Sequence, residues 1–449
     1  MKKLDVVIIG AGAAGLAAGA ALARAGLSFA IFEARRRIGG RVLTRRAAGL
    51  PLAVELGPEF VHGGAPETYR LLREASLPSY EVSGDQWRAA GGSVQPMNSP
   101  WRIDRVLVRI DRTRPDESFA AFLARHPGGR RLAGDRMSAA GFVQGFHAAD
   151  LDRISAHSIA PVEVESSDSV LRTARIPDGY DRVTGWLARP IRRSIHLGAE
   201  VSAISWRRGQ ARVRLRTGRP RPTPVQARAV VITVPVGVLN APPGTRGSIT
   251  FDPDPPRARH AIQHLAMGSV THLPIWFDRM PWADLGSRRT REKLEGLSFL
   301  FTPHGRFNVW WSAHPMKSPF LVGWSGGPPG AELSKQTPDR ILEIALNELG
   351  AAFGISYRRL KARVRRSWIQ NWERDPYARG AYSYALVGGA EAGDALARPI
   401  EGTLFFAGEA TATVTGTVEG ALQSGRRAAR QVLRALGSSA VRHRRARGR

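Results

Sequence analysis

The sequence predicts an α/β chain with a parallel sheet at its N-terminal end, and three adjacent observations carry that prediction. Leu4-Asp5-Val6-Val7-Ile8-Ile9 is a β-branched run, the pattern of a strand buried on both faces. Gly10-Ala11-Gly12-Ala13-Ala14-Gly15 follows at once and opens an Ala/Leu-rich stretch, Leu16 to Ala25, that stops at Gly26 as a glycine-capped helix does. A second apolar run, Ser28 to Phe32, ends in Glu33, near the offset of roughly 20 residues at which a Rossmann-like unit places its ribose-binding acid.

Each element has a physical reason. Gly10 permits the tight turn, Gly12 lets the backbone approach a pyrophosphate, and Gly15 lets the helix lie close to the sheet. The free N–H groups of the helix start offer partial positive charge to the phosphates. Glu33 is expected to receive the hydroxyls of an adenosine ribose. The continuation Glu33-Ala34-Arg35-Arg36-Arg37-Ile38-Gly39-Gly40-Arg41 adds paired glycines for close backbone approach, and brings Arg36 or Arg41 within reach of phosphate oxygens. These elements imply a dinucleotide and leave NAD and FAD both open.

Composition sets the outer limits. The 449 residues, 43% apolar and 23% charged, are enough for two or three domains with a large core. The absence of Cys excludes disulfides, thiolate metal sites, a Cys nucleophile and a Cys-linked cofactor, and no metal site is expected. Lys+Arg 66 against Asp+Glu 38 gives a formal charge of +28. Because the arginines are scattered, that excess reads as composition rather than as a built surface for nucleic acid, a membrane or an acidic partner. Only Arg442 to Arg449 concentrates charge, and 438–449 is expected to be a solvated, disordered tail. The uncharged stretch Val6 to Ala23 is diluted by Gly10, Gly12, Gly15 and Gly19 and belongs to the nucleotide motif. No other stretch approaches the roughly 20 apolar residues of a membrane span, so a soluble, cytoplasmic protein is expected.

Further motifs run in order along most of the chain, and together they make the sequence similar to the flavin-containing amine oxidases, the family of monoamine oxidases, polyamine oxidases and flavin histone-lysine demethylases. They are the glycine-rich start with Gly-Gly-Arg41; Glu55-Leu56-Gly57-Pro58-Glu59-Phe60-Val61-His62-Gly63; Val230 to Leu239; Asn371-Trp372 with Gly380-Ala381-Tyr382-Ser383; and Phe405-Phe406-Ala407-Gly408-Glu409-Ala410-Thr411 followed by Gly416-Thr417-Val418-Glu419-Gly420-Ala421. The resemblance implies FAD as cofactor. Gly10, Gly12, Ala14, Gly15, Glu33 and Ala34 would hold its adenosine diphosphate end, with Arg36, Gly40 and Arg41 on the phosphates. Val201 matches the strand whose backbone meets the adenine, and Val234 lies in the turn after the second family strand. Leu56 and Gly57 would pass beneath the flavin, with Trp372 beside its ring. Gly408 and Glu409 lie at the carboxyl end of the apolar run Thr403 to Ala407, where Glu409 would receive a ribityl hydroxyl. Thr417 and Val418 would open a helix, Gly416 to Leu436, whose N–H groups face the pyrimidine edge.

The resemblance also implies the architecture: an FAD-binding Rossmann-like domain of discontinuous segments (1–80, 190–275 and 390–437) and an α+β substrate-binding domain (81–189 and 276–389). Arg216 to Pro224 reads as a basic surface loop. The implied reaction is FAD-dependent oxidation of a small-molecule amine, with oxygen or another acceptor taking the electrons. Tyr382 matches one wall of the family's aromatic pair, and Thr417 stands where the other wall would be, which predicts a wider or different pocket. His62 falls where relatives carry a polar residue near substrate, and an imidazole there can bind an amine or take its proton near neutral pH. His272 stands where the family places a Lys linked to oxygen activation, so either another acceptor is used or a protonated His272 substitutes. Two alternatives stay open: oxidation or desaturation of a non-amine substrate, and a flavin-bound basic protein that holds nucleic acid or an acidic partner with little turnover.

Overall fold

Leu4–Ile9 and Phe29–Glu33 pair as parallel neighbours at the heart of an eight-stranded sheet. The computed structural model describes residues 3–90, 92–97, 102–165, 172–216, 224–285 and 287–447. The strand order runs Ile195–Leu197, Phe29–Glu33, Leu4–Ile9, Val225–Ile232, Gln210–Leu215, Val201–Arg207 and Thr250–Asp252. Val225–Ile232 is the branch point. Its first residues lie antiparallel to Gln210–Leu215, and its last three lie parallel to Leu404–Phe406. The carboxyl ends of Leu4–Ile9, Phe29–Glu33, Val225–Ile232 and Leu404–Phe406 therefore converge, the arrangement in which an open α/β sheet binds its ligand.

Side-chain alternation explains why these strands read as unbroken apolar runs. Val6 and Ile8 pack on the face that carries the first helix, Ala13–Arg24, and the last helix, Val418–Arg447. Val7 and Ile9 pack on the opposite face with Val230, Ile232 and Phe406. Both faces are covered, so no polar alternation is left in the sequence. The first helix starts at Ala13 rather than Leu16 because Gly12 already serves as its N-cap. The last helix is continuous to Arg447, where a disordered tail was expected from 438, and side chains beyond Gly437 lie outside the described residues. Also outside are Trp101, residues 217–223 of the basic loop, and 448–449.

The first and last helices approach so closely that the contact admits no side chain. A Cβ on Gly425 would lie 2.2 Å from the Ala14 carbonyl oxygen, and one on Gly15 would lie 2.0 Å from the Gly10 oxygen. The glycine turn is thus braced from both sides by backbone.

A second sheet of seven strands takes the order Val364–Ser367, Val270–Phe277, Phe320–Gly326, Val309–Ser312, Leu297–Phe301, Asp85–Ala90 and Ser93–Pro96. Trp310 faces a core that includes the helix Pro338–Phe353, while its neighbour Trp311 faces the opposite side with Leu56, Trp368 and Trp372. This second face carries the aromatic part of the site. Among the described residues, no helix is long and apolar enough to cross a membrane.

The helix contact makes a paired prediction. Gly425→Ala should lower the unfolding midpoint, at a cost of about 1–3 kcal/mol from overpacking. Gly437→Ala lies in the same helix, where a Cβ meets nothing within 4 Å. It should raise the midpoint, by about 0.5–1 kcal/mol from helix propensity. Thermal and urea unfolding of the two variants beside the parent protein checks both signs.

Candidate active site

The glycine turn and the loop after Glu33 form one cradle. Gly39 donates its N–H to the Ala11 carbonyl at 2.8 Å, which lays Gly40 against Gly12. Glu33 is buried and receives the N–H groups of Ala11 and Arg35, each at 2.8 Å and each on a different oxygen. One lone pair on each oxygen is left for a further donor. A Cβ on Gly12 would meet nothing closer than 4.0 Å, and one on Gly408 nothing within 4 Å, so the backbone is open at both ends of the cleft. That opening, with free N–H groups at the start of the first helix, fits the diphosphate and ribose of a dinucleotide.

Between these ends, a cleft is lined by Arg41, Thr233 to Val236 and Phe406 to Thr411. The buried Glu409 organises it. Its carboxylate receives Arg41 Nη1 at 3.0 Å, Ser383 Oγ at 2.7 Å, and the N–H of Gly416 at 3.1 Å. Arg41 also donates to the Ala381 carbonyl at 2.6 Å. Gly57 lies against Arg41 so tightly that a Cβ would sit 1.9 Å from its carbonyl oxygen. The buried Trp372 donates Nε1–H to the Leu56 carbonyl at 2.7 Å. Thr417 caps the last helix, its Oγ1 receiving the Gly420 N–H at 2.9 Å and donating to the Val414 carbonyl at 3.0 Å.

Aromatic rings enclose the other side. The His62 ring lies 5.8 Å from Phe60 and 5.6 Å from Phe146, edge-on to the latter. Burial pushes the His62 imidazole down to about 4, so it is neutral at physiological pH. Tyr382 donates its hydroxyl to the Phe146 carbonyl at 2.6 Å, and burial raises its phenol. His272 is buried between Trp311 and Trp324, 5.7 Å from each ring. Its Nε2 lies 3.6 Å from Glu59 Oε2, an ion-pair distance without a hydrogen bond. Glu59 also receives Arg175 Nε at 2.8 Å and Trp311 Nε1 at 3.0 Å. Burial alone would raise the Glu59 carboxyl. The Arg175 charge, His272 and Trp311 outweigh it and hold the group below the usual glutamate range.

The sequence profile of flavin containing amine oxidoreductases matches residues 13–433. The chain belongs to that family. Among curated relatives of this amine oxidoreductase, polyamine oxidase 2 of Arabidopsis thaliana is 27% identical over 95% of this chain and 88% of its own length. Lysine-specific histone demethylase 1B of Mus musculus is 26% identical over 95% of this chain and 52% of its own length. Putrescine oxidase with bound putrescine superposes with a TM-score of 0.79 at 22% identity, covering 96% of this chain and 99% of the other. Cyclohexylamine oxidase from Brevibacterium oxydans IH-35A superposes at 0.80 and 21%, covering 97% and 100%. The family uses a flavin, and this chain has its Rossmann-like α/β fold.

The residues singled out from the oxidoreductase's sequence separate into two groups. Gly10, Gly12, Ala14, Gly15, Glu33, Ala34 and Gly40 fall in the cradle, and Arg41, Leu56, Gly57, Val234, Trp372, Gly408, Glu409, Thr417 and Val418 fall at or beside the cleft. Val201 is buried in the sheet core. His62 and Tyr382 meet through Phe146, and His272 lies behind them in the tryptophan cluster. Several details differ from expectation. Arg36 is exposed, and its neighbours take the ordered roles: Arg35 pairs with Asp375 at 2.7 Å, and Arg37 donates to the carbonyls of Ile38, Gly40 and Val42. Glu409 already receives several donors of its own chain, the Ser383 N–H at 3.3 Å among them. His62 is too apolar in its surroundings to hold a proton near neutral pH, so it offers a hydrogen-bond acceptor.

Sequence reasoning missed Glu59, Arg175 and Phe146. Glu59 was visible as one of the two carboxylates in the motif Glu55 to Gly63. Arg175 and Phe146 carried no local signal.

The His62 value fixes the sign of a pH effect. Between the ordinary 6.5 and about 4, the unfolded chain binds a proton that the folded chain refuses. Stability is therefore intact above the ordinary value and falls as pH drops through that window. His62→Phe, which keeps the ring, should abolish that part of the acid loss. Denaturant unfolding at pH 7 and pH 5 would show a smaller difference in the variant than in the parent protein.

Proposed function

We propose that this chain is an FAD-dependent oxidase of a small amine, which converts a C–N bond to an imine that water then hydrolyses. The observation that carries the reading is the meeting of two half-sites. The Arg41–Glu409 centre of the cradle is joined through Ser383 and Gly416 to Tyr382, which bonds Phe146 beside a neutral imidazole. The names of the relatives, polyamine, putrescine and cyclohexylamine oxidases, support the substrate class.

Bound in the cleft, the flavin supplies two-electron acceptance from the C–N bond and delivery to oxygen or another acceptor. The chain does the rest. The rings of Phe60, Phe146 and Tyr382 exclude water and hold the substrate by their faces and edges. His62 accepts a hydrogen bond from the amine nitrogen and favours its orientation without competing for its proton. The N-terminus of the last helix, capped by Thr417, presents a partial positive charge that favours an electron-rich ring edge by roughly 0.3–2 kcal/mol. Trp372, bonded to the Leu56 carbonyl, fixes the Leu56–Gly57 segment that would lie against the flavin. In this reading residues 1–80, 190–275 and 390–437 hold the cofactor, and 81–189 with 276–389 hold the substrate.

His272 carries the choice of electron acceptor. Its ring is buried between Trp311 and Trp324 with Nε2 3.6 Å from Glu59, itself matched by Arg175, at the position where the family carries a Lys.

The purified protein should be yellow, and the cofactor released by denaturation should have the mass of FAD. Anaerobic addition of an amine should bleach the flavin spectrum, and readmitted oxygen should restore it with release of peroxide. A colourless protein that takes up no flavin, or a flavin that no amine reduces, ends the proposal. His272→Ala should slow reoxidation by oxygen about tenfold and leave reduction within about twofold. Stopped-flow traces of the two half-reactions separate these effects.

A further inference from the structure

Phe146 closes the helix Ala133–Phe146 and is 37% exposed, a large ring left partly uncovered beside His62. Its backbone is held rigidly. Trp324 Nε1 donates to the Gly145 carbonyl at 2.9 Å, and Tyr382 donates to the Phe146 carbonyl at 2.6 Å. A Cβ on Gly326 would lie 2.5 Å from the Gly145 oxygen, so the helix end is pressed onto the second sheet. The ring stacks on Phe142 at 4.9 Å and 11°, and meets His62 edge-on. Thr417, at the family's second aromatic position, is committed to capping the last helix.

Two carboxylates near these rings are already matched by arginines. Glu59 is paired with Arg175 and faces His272, and Glu409 is paired with Arg41. The cleft beside Gly63 contains Glu81, but Arg172 shares its lining. Burial alone accounts for the low His62 value, with no charged group acting on it. A second ammonium on a substrate would find no free carboxylate among these groups. The formal charge of +28 also opposes the approach of a polycation.

We propose that Phe146, with Tyr382, forms the aromatic enclosure of the amine site, and that this enclosure selects amines with one charge and an aromatic or alicyclic body over diamines and polyamines. The inference rests on the amine-oxidase reading above and narrows it. A flat or ring-shaped body covers the exposed face of Phe146, and the single ammonium lies against ring faces and the His62 acceptor.

The test uses FAD-loaded protein and four amines under anaerobic conditions: 2-phenylethylamine, cyclohexylamine, putrescine and spermidine. The first two should reduce the flavin with kcat/KM about 100-fold above the last two, the effect of leaving one ammonium unpaired. Phe146→Ala should raise the Kd for 2-phenylethylamine about tenfold with a smaller change in the limiting rate, and Phe146→Tyr should recover most of it. Phe146→Leu, which keeps apolar volume, should show the same loss if the alanine variant folds poorly. Benzyltrimethylammonium, which has no free electron pair to lose, gives a readout without turnover: its quenching of tryptophan fluorescence should weaken in parallel. Equal use of putrescine or spermidine, or a Kd within about twofold of the parent protein in every Phe146 variant, overturns the inference while leaving amine oxidation intact. Failure of all four amines to reduce the flavin overturns the amine-oxidase reading, and this inference with it.

Discussion

One buried carboxylate joins segments that are hundreds of residues apart. Glu409 receives Arg41 from the loop after the second strand, Ser383 from the strand beside the aromatic pocket, and Gly416 from the approach to the last helix. Each donor belongs to a different wall of the cleft. With those donors and the Ser383 N–H at 3.3 Å the carboxylate's lone pairs are taken up, which is the condition for keeping a charge away from water. Breaking one partner of such a buried pair costs about 3–5 kcal/mol, because the other is left uncompensated. The cleft is therefore set by chain-to-chain bonds before any ligand enters, and a cofactor meets a prearranged surface rather than loose loops.

A second buried charge group does for the aromatic half what Glu409 does for the cradle. Arg175 crosses from its short strand to Glu59, donates to the Ser312 carbonyl at 2.9 Å, and lies 4.7 Å over the Phe60 ring. Glu59 in turn holds Trp311 and faces His272. Three ionisable groups and three rings thus share one low-dielectric space. The carboxylate is offset by Arg175, so the cluster is a matched pair with the His272 ring set at its edge.

Legibility followed the range over which the physics acts. The strand–turn–helix–strand–acid run from Leu4 to Glu33 was readable because period, glycine spacing and capping are set within a few residues. Glu409 was readable as a carboxylate at the end of a buried strand, although its partners were not. Arg36 was misjudged because three consecutive arginines look equivalent in sequence. Only the loop's path, turned by Gly39 and Gly40, decides that Arg35 and Arg37 point inward. Glu59, Arg175 and His272 are separated by 116 and 97 positions along the chain, and nothing in composition announces that a sheet will bring them together. Phe146 was hidden for the same reason: a helix that ends in Gly-Phe-His reads as ordinary amphipathic surface until Tyr382 and Trp324 fix its last carbonyls.

The two halves of the site follow different rules, and the contrast bears on how such a protein diversifies. The cradle is made where backbone meets backbone, at Gly10, Gly15, Gly57 and Gly425, and an added methyl at Gly15, Gly57 or Gly425 would collide within 2.2 Å of a carbonyl oxygen. Those positions have no freedom. The aromatic half is made of side chains on two sheet faces and one helix end, where ring size and charge can change without moving the backbone. Thr417 illustrates the exchange. Its hydroxyl caps the last helix, while Tyr382 is tied to the Phe146 carbonyl from the substrate side. A chain can keep the cradle fixed in glycine and one buried carboxylate, and vary the aromatic half through residues such as Phe146, carried on a helix end pressed onto the second sheet.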